Sequence, residues 1–140
     1  MTDSAIGLGD IEAAYRRLSL ATYRALEDAY DFEAEAIVAA LERDQRITNA
    51  AFFVLIFGQL EQHIIRLAAA HGGFGPGRSS FRRMLAVALP DARDRRLRRE
   101  IEQWYKLRNN AAHGEAIGAS YNIQAILERA RELERRLPGP

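Results

Sequence analysis

The sequence predicts an all-α protein, an antiparallel up-and-down bundle of four main helices plus a short additional helix. Three observations carry this. Apolar side chains recur at three- and four-residue intervals along most of the 140 residues, no stretch shows the alternation of a half-buried strand, and the strongest helix-breaking segments fall between the periodic runs. A chain of this length with 48% hydrophobic residues suits one compact domain, residues 1–140, with a core of its own.

From Ile11, the residues Ala14, Tyr15, Leu18, Ala21, Thr22, Ala25, Leu26 and Ala29 form one stripe, continued by Phe32, Ala36, Ile37, Ala40 and Leu41. A helix from about Asp10 to about Asp44 is expected, with a possible break near Tyr30 and Asp31. Thr48 or Asn49 can cap a second helix that runs through the apolar stretch A-A-F-F-V-L-I-F-G and on to Ala70. Its first half is apolar on every side, which places it at the centre of the fold or in an interface.

His71 to Ser80 contains four glycines and a proline and reads as a connector. It lacks the Gly-Lys-Ser/Thr ending and the preceding strand of a phosphate-cradling loop. Ser79 or Ser80 can cap a short helix through Leu89, Pro90 restarts the chain, and a third long helix then runs towards Gly114. Ser120 can cap the last helix, whose Ile123, Ile126, Leu127, Ala130, Leu133 and Leu137 share one side before Pro138 ends it.

Composition narrows the chemistry. The absence of cysteine removes disulfides, thiolate nucleophiles and thiolate metal sites, and fits a cytoplasmic protein. The acidic N-terminus does not read as a signal peptide, and the run from Ala50 to Gly58 is shorter than the ~20 residues of a membrane span, so a soluble chain with no membrane partner is expected. His63 and His71 have no nearby carboxylate to complete a metal site, and no cofactor is expected.

Net charge is only +1, yet it is sorted along the chain. Residues 1–63 hold five basic and eleven acidic side chains, whereas residues 78–108 hold ten basic and four acidic. Such asymmetry fits either a surface for a polyanion or two helix faces that attract one another within the bundle. The run R-R-L-R-R, with Arg95, Arg96, Arg98 and Arg99 followed by Lys106, suits an RNA backbone, because phosphate contacts need charge more than order. Interleaved Asp94 and Glu100 fit a solvated helix equally well. Trp104 and Tyr105 are able to stack bases, but Trp104 lies on the core stripe.

The stretch L-R-N-N-A-A-H-G, Leu107 to Gly114, breaks the pattern of its helix. Leu97, Ile101, Trp104 and Arg108 fall within a narrow arc, so Arg108 stands where the core stripe calls for an apolar residue, and broken local rules gather at functional sites. Asn109 and His113 share a neighbouring face, about 100° or more around the helix. For arginine and histidine to meet on one ligand, the helix must bend or end here, or a second molecule must complete the site. Arginine offers planar donors for a phosphate, and histidine titrates near neutrality. The set can cut a phosphodiester through its own 2′-hydroxyl, with histidine taking the proton and arginine stabilising charge at phosphorus. The plainer alternative is an inward arginine paired with an acid such as Glu61 and a solvated histidine at a helix end.

Arg108 to His113, R-N-N-A-A-H, resembles the R-N-x-x-x-H motif of HEPN domains, small helical bundles common in prokaryotic toxin–antitoxin and defence systems. The resemblance implies a metal-independent endoribonuclease acting as a homodimer, with two copies of the motif facing one cleft. Arg108 and His113 would be catalytic, Asn109 would position, and Asn110 and Glu61 would support, Glu61 by orienting Arg108. RNA would be the substrate and a cognate antitoxin protein a further partner. One HEPN subgroup carries a tyrosine two residues after the histidine as a modification site; Glu115 stands there, which argues against that control mechanism. Other HEPN domains cut nothing and serve as dimerisation, nucleotide-binding or protein-binding modules, so that alternative stays open.

Overall fold

A computed structural model describes residues 6–72, 80–113 and 122–139. Among these residues the chain is an all-α bundle with no strand: α1 (Leu8–Asp31), α2 (Glu35–Ala70), the short α3 (Phe81–Ala88), α4 (Arg95–Ala112) and α5 (Ile123–Arg136).

The first break falls at Phe32–Ala34, just beyond the Tyr30–Asp31 position suggested by the sequence, and its hydrogen bonds explain why. Glu33 takes a left-handed conformation with φ 53°. Its N–H donates to the Tyr30 carbonyl and the Ala34 N–H donates to the Ala29 carbonyl, closing α1 as a Schellman turn. That conformation costs a residue with a Cβ about 1–2 kcal/mol. Glu33→Gly is therefore expected to raise stability by about 1 kcal/mol, read as a higher urea midpoint with an unchanged slope.

The expected start of a second helix at Thr48 or Asn49 is corrected: α2 runs unbroken from Glu35, through both, to Ala70. Asn49 caps nothing. It is buried inside the helix, and its Oδ1 accepts from Tyr15 Oη (2.8 Å) and Gln45 Nε2 (2.8 Å). A polar clasp between α1 and α2 thus supplies the bonds that a helix start would have supplied. With Tyr30 Oη donating to Glu42 (3.1 Å), the pairs 15–49 and 30–42 show that α1 and α2 form an antiparallel hairpin.

The second half of α2 is the spine of the fold. Phe53, Ile56, Phe57, Leu60, Ile64 and Leu67 are all but inaccessible to solvent. Phe57, Leu60, Ile64 and Leu67 pack with Phe81, Leu85, Leu97, Ile101 and Leu133, while Phe52, Phe53 and Ile56 pack with Leu8, Ile11, Ile123 and Leu127. Trp104 touches both groups, so its place on the core stripe is structural. By length and composition α2 is also the one helix among the described residues able to cross a membrane. The shorter span expected from Ala50–Gly58 is to that extent corrected, because α2 absorbs the residues on both sides; its buried half is the core of the bundle.

The remaining boundaries follow local chemistry. Gly72, with φ 73°, follows the end of α2. Ser80 caps α3 by accepting from the Arg83 N–H (3.2 Å). Asp91 accepts from the Arg93 N–H (2.9 Å) and opens a single 3-10 turn, Ala92–Asp94, before α4. The cap of α5 is Asn122, whose Oδ1 accepts from the Ala125 N–H (3.1 Å). Ser79, Ser120 and Gly114, the other expected boundary residues, lie outside the described residues.

Ion pairs bind α5 to its neighbours. Arg129 pairs with Glu100 of α4, and Arg131 donates to both carboxylate oxygens of Glu12 of α1 (3.0 and 3.1 Å). Each arginine holds its partner carboxyl below the ordinary carboxylate range. One acidic side chain of residues 1–63, Glu12, is thus met inside the bundle by α5 rather than by the basic segment 78–108.

Candidate active site at the end of the fourth helix

Arg108 lies in the last two turns of α4, and the stripe Leu97, Ile101, Trp104 carries it towards α2. It is half-buried, its side chain 29% exposed, and Glu61 of α2 approaches it from the other side at 23% exposure. Glu61 Oε2 is 3.5 Å from Arg108 Nη2, a long contact that attracts without locking the guanidinium. Arg108 Nη1 donates to Asn109 Oδ1 at 2.9 Å. Because arginine only donates, this contact fixes the amide's orientation and leaves the Asn109 NH2 group as a donor.

Tyr105 completes the cradle. Its ring centroid lies 5.7 Å from Arg108 Cζ, within cation–π range. The ring is itself stacked on Phe81 (4.3 Å, 17° between planes) and tilted against Phe57 (6.0 Å). Phe81 and Arg108 compete for the ring faces that base stacking would use. The supporting role of Tyr105 was missed from sequence, although an aromatic residue three positions before an arginine on a helix is a readable signal for such a contact.

The other motif residues stand apart from this cluster. The helix continues straight through Ala112, and His113 is its C-terminal cap, with the backbone N–H donating to the Asn109 carbonyl (3.0 Å). The His113 ring is exposed and has no hydrogen-bond partner among the described residues. Asn110 is exposed as well. Arg108, Asn109 and Glu61 are thus brought together, while His113 projects about 140° around the helix from Arg108 and about 7.5 Å further along it. Within one copy, arginine and histidine do not converge.

The basic residues also divide. Arg95, Arg96, Arg99 and Lys106 are exposed, but Arg98 is half-buried and donates from Nη1 to the backbone carbonyls of Leu89 (2.5 Å) and Asp91 (2.8 Å). Arg98 therefore fixes the corner between α3 and α4. Arg82 of α3, which the sequence did not single out, faces the same corner and pairs with Glu102 (3.4 Å).

No group of three or more His, Asp or Glu side chains converges among the described residues. His63 has a structural partner: its Nε2 lies 2.9 Å from the Pro138 carbonyl, which only accepts, so that nitrogen carries the proton and ties α2 to the end of α5. Comparison with family models, with curated proteins and with solved structures finds no match to this chain in any of the three.

Proposed function

We propose that this chain is a HEPN-like, metal-independent endoribonuclease that acts as a homodimer in the cytoplasm. The observation that carries it is Arg108, held half-buried by Glu61, Asn109 and Tyr105 with part of its donor fork unused, five residues before a histidine whose ring is free to meet a ligand. A guanidinium so cradled is preorganised for a phosphate oxygen, and its loose contact with Glu61 allows it to turn towards one.

In the proposed reaction, His113 takes the proton of the ribose 2′-hydroxyl. The 2′-oxygen attacks phosphorus, the bond to the 5′-oxygen breaks, and the leaving oxygen takes a proton from a second imidazole. Arg108 stabilises the charge that builds on the non-bridging oxygens, and Asn109 donates from its amide to hold the phosphate in line. One histidine cannot be base and acid in the same step. A two-fold axis that brings His113 of each copy to one cleft supplies both, and supplies each with the arginine it does not meet within its own chain. Leu18, Tyr23, Ile37, Ile47 and Leu55, all exposed on the α1–α2 hairpin and the helix beyond it, support self-association. An antitoxin that masks the cleft is the partner this reading implies.

Glu61 is a positioning residue in this scheme. Glu61→Gln keeps an oxygen acceptor but removes the charge, and is expected to lower kcat roughly tenfold with KM little changed, in line with the ~1.5–3 kcal/mol of a hydrogen bond to a charged group. Glu61→Ala is expected to cost more. A purely structural Glu61 would move the melting temperature instead and leave kcat in place.

The test of the reaction is incubation of the purified protein with labelled RNA beside Arg108→Ala and His113→Ala. Cleavage by the wild type and its loss in both variants supports the proposal. RNA of several classes left intact by all three favours a second reading, a helical dimerisation or ligand-binding module. The specific observation on that side is the Arg108–Glu61 contact, which also serves as a structural ion pair.

A further inference from the structure

The arginines of this bundle are treated in two ways. On α5, Arg129, Arg131, Arg135 and Arg136 each have a carboxylate. On the opening turns of α4, Arg95 and Arg99 have none among the described residues, although they lie beside two further arginines. These four, Arg82, Arg95, Arg98 and Arg99, line a groove of about 260 Å³ between α3 and α4 with Ala86 and Glu102. Glu102 is engaged by Arg82 and Arg98 by two carbonyls, so the uncompensated charge is that of Arg95 and Arg99. Like charges gathered without a counter-charge repel, and an anion in the groove relieves that repulsion.

The groove also lies on the helix face that carries Asn109 and His113. Arg95, Arg99, Glu102, Lys106, Asn109 and His113 follow one another at intervals of four and three residues, which places them within about 80° of arc along one face of α4. Arg95 and Arg99 stand about 27 and 21 Å from His113 along that face. Its one carboxylate is the one already paired with Arg82. Arg96, about 100° around the helix from Arg95, does not line the groove, so the basic run in the sequence is not the functional unit.

We propose that the α3–α4 groove is a phosphate-binding exosite that grips the backbone of a single-stranded RNA at a distance from the bond being cut. The strand lies along α4 from Arg95 and Arg99, past Lys106, to His113. This inference rests on the ribonuclease reading for its substrate, but its test does not depend on cleavage.

The experiment measures binding of a fluorescent single-stranded RNA 20-mer to the His113→Ala protein over a series of salt concentrations. Two double variants are compared on that background: Arg95→Ala/Arg99→Ala, which removes the two uncompensated charges of the groove, and Arg83→Ala/Arg96→Ala, which removes the same charge from α3 and α4 outside it. All four arginines replaced are exposed, and helicity is checked by circular dichroism. The groove variant is expected to weaken binding tenfold or more and to reduce the slope of log K against log salt by about 1.4, two phosphates at about 0.7 each for a single strand. The control variant is expected to retain both affinity and slope.

Equal effects of the two double variants, or no effect of either, overturn the exosite. So does tighter binding of an oligoglutamate of matched charge at the same residues, which assigns the groove to an acidic protein. If the wild type cuts RNA while the groove variant binds as before, the exosite fails and the ribonuclease stands. If no protein cuts but binding depends on the groove, the exosite stands and the ribonuclease fails.

Discussion

Replacing Phe57 with alanine is expected to destabilise the bundle by about 3–5 kcal/mol, the cost of deleting a fully buried phenyl ring and leaving a cavity. Phe57 is fully buried on the spine helix and packs against Phe81 (5.6 Å) and Tyr105 (6.0 Å). Domains of this kind hold together by about 5–15 kcal/mol, so the loss is a large fraction of the total. It should appear as a melting temperature lowered by about 10 °C or more. The effect has a functional branch, because the ring that supports Arg108 rests on Phe57 and Phe81. Leu137→Ala, in the same core, provides the comparison: it lowers stability and leaves the ring contacts of Tyr105 with Phe57 and Phe81 in place. If Phe57→Ala lowers RNA cleavage at a temperature where both variants remain folded and Leu137→Ala does not, the support of Arg108 through Tyr105 is established.

His113→Ala is expected to have the opposite profile. The ring is exposed and makes no contact that holds the fold, so stability should change by no more than about 0.5 kcal/mol. Cleavage should fall by about 10²–10⁴-fold, the contribution of a positioned general acid–base group. Because each copy supplies one imidazole to the proposed cleft, mixing the variant with wild type should reduce activity by more than simple dilution. A linear fall with the fraction of variant would mean that each chain works alone.

Much of this arrangement was legible in the sequence because it depends on neighbours along the chain. Helical periodicity located the apolar faces of α4 and α5, whereas of the stripe expected for α1 Ile11 and Ala29 are buried and Leu18, Ala21, Phe32, Ala36 and Ile37 are exposed; Ser80 and Pro90 marked the ends of the short helix. The interruption of the core stripe by Arg108 pointed to Glu61 as its neighbour, and the two side chains do meet. What was not legible depends on contacts between distant residues. Asn49 has the chemistry of a helix cap, and only the approach of Tyr15 from α1 makes it a buried clasp inside α2. Glu33 ends α1 in a conformation usually filled by glycine, so the break expected near Tyr30 and Asp31 falls slightly later, at Phe32–Ala34. Arg82 is an ordinary exposed arginine until α3 folds against α4. The basic run of α4 looked uniform, but Arg96 does not line the groove that Arg95 and Arg99 share, and the carbonyls of Leu89 and Asp91 engage Arg98.

The identity of the RNA ends tests the central claim most directly. Labelled RNA is incubated with the wild-type protein in excess EDTA and the new termini are analysed. Attack by the 2′-hydroxyl, with His113 as base and Arg108 at the phosphate, predicts cleavage that survives chelation and leaves 2′,3′-cyclic phosphate and 5′-hydroxyl ends. Cleavage abolished by EDTA, or products bearing 3′-hydroxyl and 5′-phosphate ends, would contradict the account, because water activated by a metal, rather than the 2′-hydroxyl, would then be the nucleophile.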